Sequence, residues 1–221
     1  MGVRDATDVR LIPTTTHGRV LVREARAAAA RGMLVGFHGY MENAGMQMER
    51  LEAIPGATRW TLVSVQALHR FYRGRSHQVV ACWMTREDRD TAIADNIEYV
   101  DAALDAVPHD SSTRIVYAGF SQGVAMAFRS ALRGRHGAAG VIGIGGDVPP
   151  DLLLDPDARF PFVLLARGAR DEWLTAQKFR GDLNALAARR PAPRVRALEY
   201  DGGHEWHGAV ADGVRDFLES L

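Results

Sequence analysis

Two spacings of apolar residues alternate along the chain. Six short apolar or alternating runs are typical of β-strands, and they lie at residues 33–37, 60–65, 114–118, 140–144, 162–166 and 194–200. Between these runs, apolar residues recur every three or four positions, which is the spacing of one helix face, at residues 44–53, 85–107, 124–132, 173–189 and 207–221. Strands that alternate with helices predict the α/β class, with a mostly parallel, doubly wound sheet flanked by helices.

The organisation of the chain indicates one domain. No internal repeat, low-complexity linker or change of composition interrupts the 221 residues. The strands and helices leave little spare length between them. We therefore predict a single domain over residues 1–221, with no large cap domain.

Three further segments have a predicted local structure. Residues 9–12 and 19–23 are predicted to form a pair of short strands joined by a polar turn. The segment 66–84 lacks a regular pattern, and long loops in compact domains are usually functional or mobile. Thr85 is predicted to cap the helix that follows, and Pro108 to stop it.

Composition narrows the classes of partner. The 27 Lys and Arg residues balance the 27 Asp and Glu residues, so no binding to nucleic acid or to an anionic membrane is predicted. No apolar run approaches the length of a membrane span. Cys82 is the only cysteine, so an intrachain disulfide is not possible, and no apolar signal core is present near Met1. We expect a cytoplasmic protein.

The strongest chemical motif is Gly119-Phe120-Ser121-Gln122-Gly123. It follows a predicted strand and precedes a predicted helix, which is the arrangement of the nucleophile elbow of α/β-hydrolases. The turn is so tight that small residues suit the positions two before and two after the serine. Ser121 is therefore predicted to be a nucleophile, which requires a base to remove its proton.

An acid and a base follow later strands in the order that this fold uses. Asp171 comes after the strand at 162–166, and His204 follows the strand at 194–200. We predict a triad in which Ser121 attacks, His204 transfers the proton and Asp171 orients the imidazole. Alternatives for the acid are Glu172, Asp147 and Asp201, and His207 is the alternative base. The His204-Glu205-Trp206-His207 spacing is one residue short of the zinc motif H-E-x-x-H, so no metal site is predicted.

Two backbone N–H groups are predicted to form the oxyanion hole. One belongs to Gln122, directly after the nucleophile. The other is assigned to Tyr40, after the His38-Gly39 end of an earlier strand, with Met41 as the alternative. His38 is predicted to anchor loop backbone rather than to take part in catalysis.

These motifs together resemble a known family. His38-Gly39, Trp83, the Gly119–Gly123 elbow, Gly168-x-x-Asp171 and Gly203-His204-Glu205 are similar to the phospholipase/carboxylesterase family of α/β-hydrolases, which includes the acyl-protein thioesterases. The resemblance extends from about residue 17 to the end of the chain. It implies the α/β-hydrolase fold and hydrolysis of carboxylic esters or thioesters without a cofactor.

The chain departs from the family at its predicted acyl pocket. Tyr40-Met41 replaces a typical Gly-Asp pair, and Leu174-Thr175 stands where Val-Pro is usual. Aromatic and methionine side chains near strand ends are predicted to line the pocket for an apolar group; they are Met41, Phe71, Tyr72, Trp83, Trp173 and Trp206. The arginines at 70, 73 and 75 suggest the hypothesis of an anionic substrate.

The sequence therefore predicts a serine carboxylesterase that acts on a small-molecule ester through an acyl-enzyme intermediate. A thioesterase or a lysophospholipase would use the same triad. A small peptidase and a non-catalytic binding protein are rival hypotheses, although binding proteins of this fold generally lose the serine or the histidine. A homodimer is left open.

Overall fold

The computed structural model describes residues 8–26 and 30–221. Its strands, in chain order, are β1 (Arg19–Arg23), β2 (Met33–Phe37), β3 (Thr61–Gln66), β4 (His69–Tyr72), β5 (Val79–Cys82), β6 (Ile115–Phe120), β7 (Gly140–Ile144), β8 (Phe162–Gly168) and β9 (Val195–Tyr200). Its α-helices are α1 (Ala44–Glu52), α2 (Arg89–Asp105), α3 (Gln122–Arg133), α4 (Pro150–Leu153), α5 (Ala176–Ala188) and α6 (Gly208–Glu219). A short 3₁₀ turn covers Ala57–Arg59.

The main sheet has seven strands in the described part of the chain, in the order β1-β3-β2-β6-β7-β8-β9. Only β1 runs antiparallel to its neighbour, and the remaining pairs are parallel. The central strands β2, β6 and β7 are buried along their whole length, which explains their continuous apolar runs. The parallel order brings the carboxyl ends of β2, β6, β7, β8 and β9 to one edge of the sheet.

Helices cover both faces of the sheet. Alternate residues of the strands point to opposite faces, so Tyr117 packs in one core and Val116 in the other. The first core contains apolar residues of α2, α3 and α5, and the second contains those of α1 and α6. The α/β class and the doubly wound parallel sheet predicted from the sequence are confirmed; the single domain over residues 1–221 stays a prediction.

The first predicted strand pair is wrong. Residues 9–12 form no strand, and Val9 and Ile12 are 79% and 81% exposed. Residues 19–23 do form β1, but β1 pairs with β3 rather than with an upstream strand. The sheet edge at β3 offers a longer row of backbone partners, and Val20 of β1 packs against the buried core there.

The predictions for residues 66–88 also need correction. The segment expected to be irregular contains the antiparallel pair β4–β5, in which His69 faces Cys82 and Tyr72 faces Val79. All four residues of β4 are exposed, so no alternation marks it in the sequence. Helix α2 begins at Arg89 rather than at Thr85, after Asp88 in a left-handed conformation (φ 46°). Among the described residues, no helix has the length and apolar character needed to cross a membrane.

Candidate active site

Ser121 lies between β6 and α3 on a strained turn. Its backbone has φ 52° and ψ −121°, a conformation that is unfavourable for a residue with a side chain. The turn is fixed because the Ser121 N–H donates to the Ile144 carbonyl at 2.9 Å and the Val124 N–H donates to the Ser121 carbonyl at 3.0 Å. A Cβ on Gly119 would overlap the Gly123 carbonyl, so the turn requires glycine there.

His204 reaches Ser121 from the loop after β9. Its Nε2 is 2.9 Å from the Ser121 Oγ, which is hydrogen-bond distance. The ring lies 5.2 Å from the Phe120 ring and 6.3 Å from the Trp173 ring, measured between centroids. Gly145 lies directly beneath the imidazole, since a Cβ at that position would lie 3.2 Å from the His204 Cε1. The ring is therefore held on two sides and at the nitrogen that faces the serine.

Asp171 lies on the other side of the imidazole. Its Oδ2 is 2.9 Å from the His204 Nδ1, and its carboxylate side chain is fully buried. Its Oδ1 accepts the N–H groups of Trp173 and Leu174 at 2.8 and 2.9 Å. One oxygen thus caps the turn that leads toward α5, while the other faces the histidine. The N-cap of α5 itself is Thr175, whose Oγ accepts the Lys178 N–H.

Buried Arg167 braces the loop that carries Asp171. Its guanidinium donates to the carbonyls of Leu174 and Ala169, each at 3.1 Å, and it pairs with Glu199 on the neighbouring strand β9. These bonds connect the start of the loop, its end and the adjacent strand. The position of the carboxylate is therefore set by several independent contacts.

The structure does not bring the alternative acids and base into this arrangement. Glu172 is exposed, and Asp201 pairs with Arg170 at the surface. Asp147 is exposed in the loop after β7. His207 is the N-cap of α6, where its Nδ1 accepts the Ala209 N–H at 3.1 Å.

The loop after β2 carries the predicted second oxyanion donor. The Met41 N–H donates to the Ala81 carbonyl at 3.1 Å, so this group is already occupied. The Tyr40 N–H has no acceptor among the described residues, and Gln122 is the first residue of α3, where N–H groups have no partner within the helix. Of the two alternatives, the backbone bonding therefore favours Tyr40.

The same loop is held by an ion pair that the sequence analysis missed. Glu42 Oε2 accepts the Gly39 N–H at 2.7 Å, and both Glu42 oxygens accept from Arg50 of α1 at 2.6 and 2.5 Å. Burial raises the pKa of Glu42, but Arg50 and the Gly39 N–H together outweigh burial and hold that pKa below its usual value. The Arg50 guanidinium also lies 4.2 Å from the centroid of the Phe120 ring. In the sequence, the only indication of this pair is that Glu42 and Arg50 carry opposite charges and lie eight residues apart, on either side of the start of α1.

His38 anchors backbone, as the sequence analysis predicted. The Ala67 N–H donates to its Nε2 at 3.1 Å, so the proton of the neutral ring is on Nδ1, which donates to the Gly39 carbonyl at 2.7 Å. Burial lowers the pKa of His38, because a buried charge is unfavourable. The ring therefore connects the loop after β2 to the loop after β3.

The side chain of Gln122 ties the end of the β4–β5 hairpin to the elbow. Its Oε1 accepts the Trp83 N–H at 3.0 Å, and its Nε2 donates to the Met84 carbonyl at 3.0 Å. Residues 82–84 are consequently held against the first turn of α3. This places Met84 beside the serine.

A cleft of about 320 Å³ opens beside the serine and the histidine. Its walls combine apolar and charged side chains; its lining residues are Met84, Arg89, Ser121, Gln122, Ala125, Arg129, Gly145, Gly146, Asp147, Trp173, Leu174, Lys178 and His204. Of the predicted pocket residues, only Trp173 is among them. A larger cavity of about 570 Å³ lies at the opposite edge of the sheet, near Asp105, His109 and His136, away from the serine.

The other predicted pocket residues lie elsewhere. Trp83 is completely buried, and its indole N–H donates to the His38 carbonyl at 2.8 Å, so it belongs to the core. Trp206 packs against the core beside α6. Phe71 and Tyr72 project from the exposed strand β4, where Phe71 is 6.1 Å from Tyr40 between ring centroids.

Met41 and the three arginines do not line the cleft either. Met41 has a left-handed backbone conformation (φ 58°). Its N–H donates to the Ala81 carbonyl of β5, and the Ala81 N–H donates to the carbonyl of the neighbouring Glu42. The guanidinium of Arg70 donates to the His17 carbonyl at 2.9 Å. Residues 73 and 75 lie in the turn between β4 and β5. In the part of the chain that the structure describes, no three His, Cys, Asp or Glu side chains are grouped closely enough to hold a metal ion.

Comparison with known proteins supports the sequence resemblance. The family model described as phospholipase/carboxylesterase matches residues 80–177, a range that contains Ser121 and Asp171. The chain is similar in structure to esterase PE8, with a TM-score of 0.72, 21% identity, and coverage of 93% of this chain and 100% of that one. None of the curated proteins compared with the chain matches it.

Two further solved structures have the same fold. The Bacillus cereus carboxylesterase has a TM-score of 0.69 and 15% identity, with coverage of 92% of this chain and 94% of that one. The Zea mays acyl-protein thioesterase 2 has a TM-score of 0.69 and 18% identity, with coverage of 92% and 99%.

The chain has the α/β-hydrolase fold, since its parallel sheet and flanking helices match these neighbours over nearly the whole chain. Its resemblance to the phospholipase/carboxylesterase family, predicted from the sequence, is confirmed by the family match over residues 80–177. That family and these neighbours are of the esterase and thioesterase type.

Proposed function

We propose that the protein hydrolyses carboxylic esters with Ser121 as nucleophile, His204 as general base and acid, and Asp171 as the residue that orients the imidazole. The observation that carries the proposal is the continuous line of hydrogen-bond distances, 2.9 Å from Ser121 Oγ to His204 Nε2 and 2.9 Å from His204 Nδ1 to Asp171 Oδ2. A serine hydroxyl needs such a base to act as a nucleophile at neutral pH.

Acylation would proceed in two steps. The Ser121 Oγ attacks the ester carbonyl carbon while His204 Nε2 takes the hydroxyl proton, and the resulting imidazolium is stabilised by the Asp171 carboxylate. The tetrahedral oxyanion accepts hydrogen bonds from the N–H groups of Tyr40 and Gln122. The C–O bond to the alcohol then breaks, and the alcohol leaves with the proton from His204 Nε2.

Deacylation would repeat these steps with water. His204 removes a proton from a water molecule, which attacks the acyl-enzyme carbonyl. The Ser121 oxygen leaves and recovers its proton from the imidazolium, releasing the carboxylic acid. The side chains and backbone of this chain, together with water, supply every group that the reaction as written needs.

The size of the cleft bears on the choice of substrate. Its volume of about 320 Å³ is near the lower end of the range of roughly 300–1,000 Å³ that is usual for small-molecule sites. We therefore propose a small ester with a short acyl group. Thioester hydrolysis on the same triad is the second candidate, and similarity in fold to an acyl-protein thioesterase is what supports it.

The test is turnover of 4-nitrophenyl esters from acetyl to palmitoyl by the wild type and by the Ser121→Ala variant, with the matching thioesters measured in parallel. We expect the highest kcat/KM with short acyl groups, and a loss of about 10³-fold or more in Ser121→Ala. Equal rates for the wild type and Ser121→Ala would contradict the proposal. A higher kcat/KM with thioesters than with esters would favour the second candidate.

A further inference from the structure

The cleft beside Ser121 contains more positive than negative side chains. Three cations line it, namely Arg89, Arg129 and Lys178, together with the single carboxylate of Asp147. These residues come from α2, α3, α5 and the loop after β7. The fold therefore brings charges that are far apart in the sequence together around one cleft.

The three cations differ in how they are compensated. Arg129 is only 1% exposed and forms an ion pair with Asp151 at 2.7 Å, a carboxylate that also pairs with Arg133, so its guanidinium is held within the protein. Arg89 and Lys178 are exposed, and neither has a carboxylate partner among the described residues. The Lys178 ammonium donates to the Trp173 carbonyl at 3.2 Å, which holds it near the rim of the cleft.

Two acids oppose these cations. Asp147 lines the cleft, and Asp182 lies behind it on α5, where it accepts the Val148 N–H at 2.9 Å. Burial, with a smaller contribution from the nearby Asp147, outweighs the Val148 N–H bond and the Lys178 ammonium and raises the pKa of Asp182 to about 6. Of these two acids only Asp147 lines the cleft, and Asp182, when ionised, offsets part of the positive charge from behind the lining.

We infer that this cleft accepts an ester whose acyl or alcohol group ends in an anion such as a carboxylate, with Arg89 and Lys178 as the groups that bind it. The inference rests on the proposed function. The apolar stem of the substrate would lie over Met84, Ala125 and Leu174, which line the same cleft. A guanidinium can bind a carboxylate with two parallel hydrogen bonds, and Arg89 has no competing intramolecular acceptor in the described residues.

This assignment replaces the hypothesis that the arginines at 70, 73 and 75 bind an anionic substrate. None of those three lines the cleft, and Arg70 bonds to the His17 carbonyl. Arg89 and Lys178 line the same cleft as Ser121 and His204. A charged group held there can therefore belong to the same molecule as the carbonyl carbon that Ser121 attacks.

The test compares two pairs of esters that differ in one charge. The first pair is 4-nitrophenyl hemiadipate and its methyl ester, which place the charge in the acyl group. The second is 4-acetoxybenzoate and its methyl ester, which place it in the alcohol. For each enzyme the measured quantity is the ratio of kcat/KM for the anionic ester to kcat/KM for the neutral ester, after subtraction of spontaneous hydrolysis.

The variants test the sign of the effect as well as its size. In at least one pair, Arg89→Gln and Lys178→Gln should each lower the ratio about fivefold relative to the wild type, and Asp147→Asn should raise it. Arg86→Gln is the matched control, because Arg86 is exposed near the start of α2 but outside the lining of the cleft, and it should leave the ratio unchanged. High salt should reduce the differences between variants, since salt screens exposed charges.

The outcomes separate this inference from the proposed function. If the neutral esters are hydrolysed and the ratio is the same in the wild type, Arg89→Gln and Lys178→Gln for both pairs, the inference is wrong and the esterase proposal stands. If Arg86→Gln lowers the ratio as much as Arg89→Gln, the effect is one of overall charge and the inference is also wrong. If the wild type hydrolyses none of the four esters, both proposals are overturned.

Discussion

At the scale of single residues, Asp171 has two structural tasks that one substitution can separate. Its Oδ1 accepts the N–H groups of Trp173 and Leu174, and its Oδ2 faces His204 Nδ1. Asparagine has nearly the same shape and one acceptor oxygen. In an Asp171→Asn variant that oxygen can keep the turn, while the amide NH₂ group would face the histidine.

We predict that Asp171→Asn lowers kcat by about 10³- to 10⁴-fold, because an amide donor favours the imidazole tautomer that cannot accept the serine proton. Steady-state kinetics with a 4-nitrophenyl ester measures the loss. Thermal unfolding and near-ultraviolet circular dichroism should stay close to those of the wild type. A variant that is correctly folded and retains more than about a tenth of the wild-type kcat would contradict the role proposed for Asp171.

The sequence could predict these side chains but not the residues that support them. Ser121, Asp171 and His204 each follow a strand, and parallel strands end at one edge of a sheet, so their meeting follows from the element pattern. The Glu42–Arg50 ion pair depends on how α1 packs against the loop after β2. Arg89 and Lys178 reach the cleft only because α2 and α5 pack on the same face of the sheet. No local pattern specifies such contacts.

At the scale of elements, the approach of α3 to β2 depends on Gly123. A Cβ at this position would overlap the backbone carbonyls of Phe37 and His38 at the end of β2. Backbone atoms cannot move aside as a flexible side chain can. The elbow therefore requires close contact between a helix start and a strand end as well as a strained serine.

We predict that Gly123→Ala lowers the free energy of unfolding by about 3 kcal/mol or more, since an added methyl group in a closely packed contact forces backbone shifts. Gly181→Ala is the matched control, because Gly181 lies in α5 with nothing within 4 Å of an added Cβ. The control should be stabilised by about 0.5–1 kcal/mol, the usual gain for alanine in a helix. Urea unfolding measures both, and equal stability of Gly123→Ala and the wild type would contradict this account.

A strand can be predicted from the sequence where burial imposes a pattern of apolar residues, and it cannot where the strand is exposed. Strands β2, β6 and β7, and β8 as far as Ala166, are continuous apolar runs because both of their faces are covered. Strand β4 is exposed along its length and owes its conformation to pairing with β5. The start of α2 differs from the prediction because Thr85 has the residue type of a cap, whereas the helix begins after the left-handed Asp88.

At the scale of the whole molecule, Asp182 links folding stability to pH. Burial raises its pKa to about 6, above the value of about 3.9 for an unfolded chain. Between these two values the folded protein binds more protons than the unfolded chain, so the contribution of this group to the free energy of unfolding falls as pH rises. Above pH 6 the ionised, partly buried carboxylate is a fixed cost to the fold.

We predict that Asp182→Asn is more stable than the wild type by about 1 kcal/mol at pH 7.5, after allowance for solvent screening of this partly exposed group. The asparagine oxygen can still accept the Val148 N–H. The gain should shrink as pH falls from 6 to 4, because the wild-type carboxyl becomes protonated. Asp95→Asn, at an exposed position of α2, is the control. Urea unfolding across this pH range would contradict the prediction if the gain were absent at pH 7.5 or constant with pH.

The parallel sheet brings the loops after β2, β6, β8 and β9 to one edge, and we propose that this arrangement activates Ser121. Reaction with a fluorophosphonate, followed by intact-mass measurement and peptide mapping, shows whether Ser121 is activated. We expect one adduct per chain, on Ser121, absent from Ser121→Ala and formed much more slowly in His204→Ala. A wild-type protein that forms no adduct, or an adduct that persists in Ser121→Ala, would contradict the proposal.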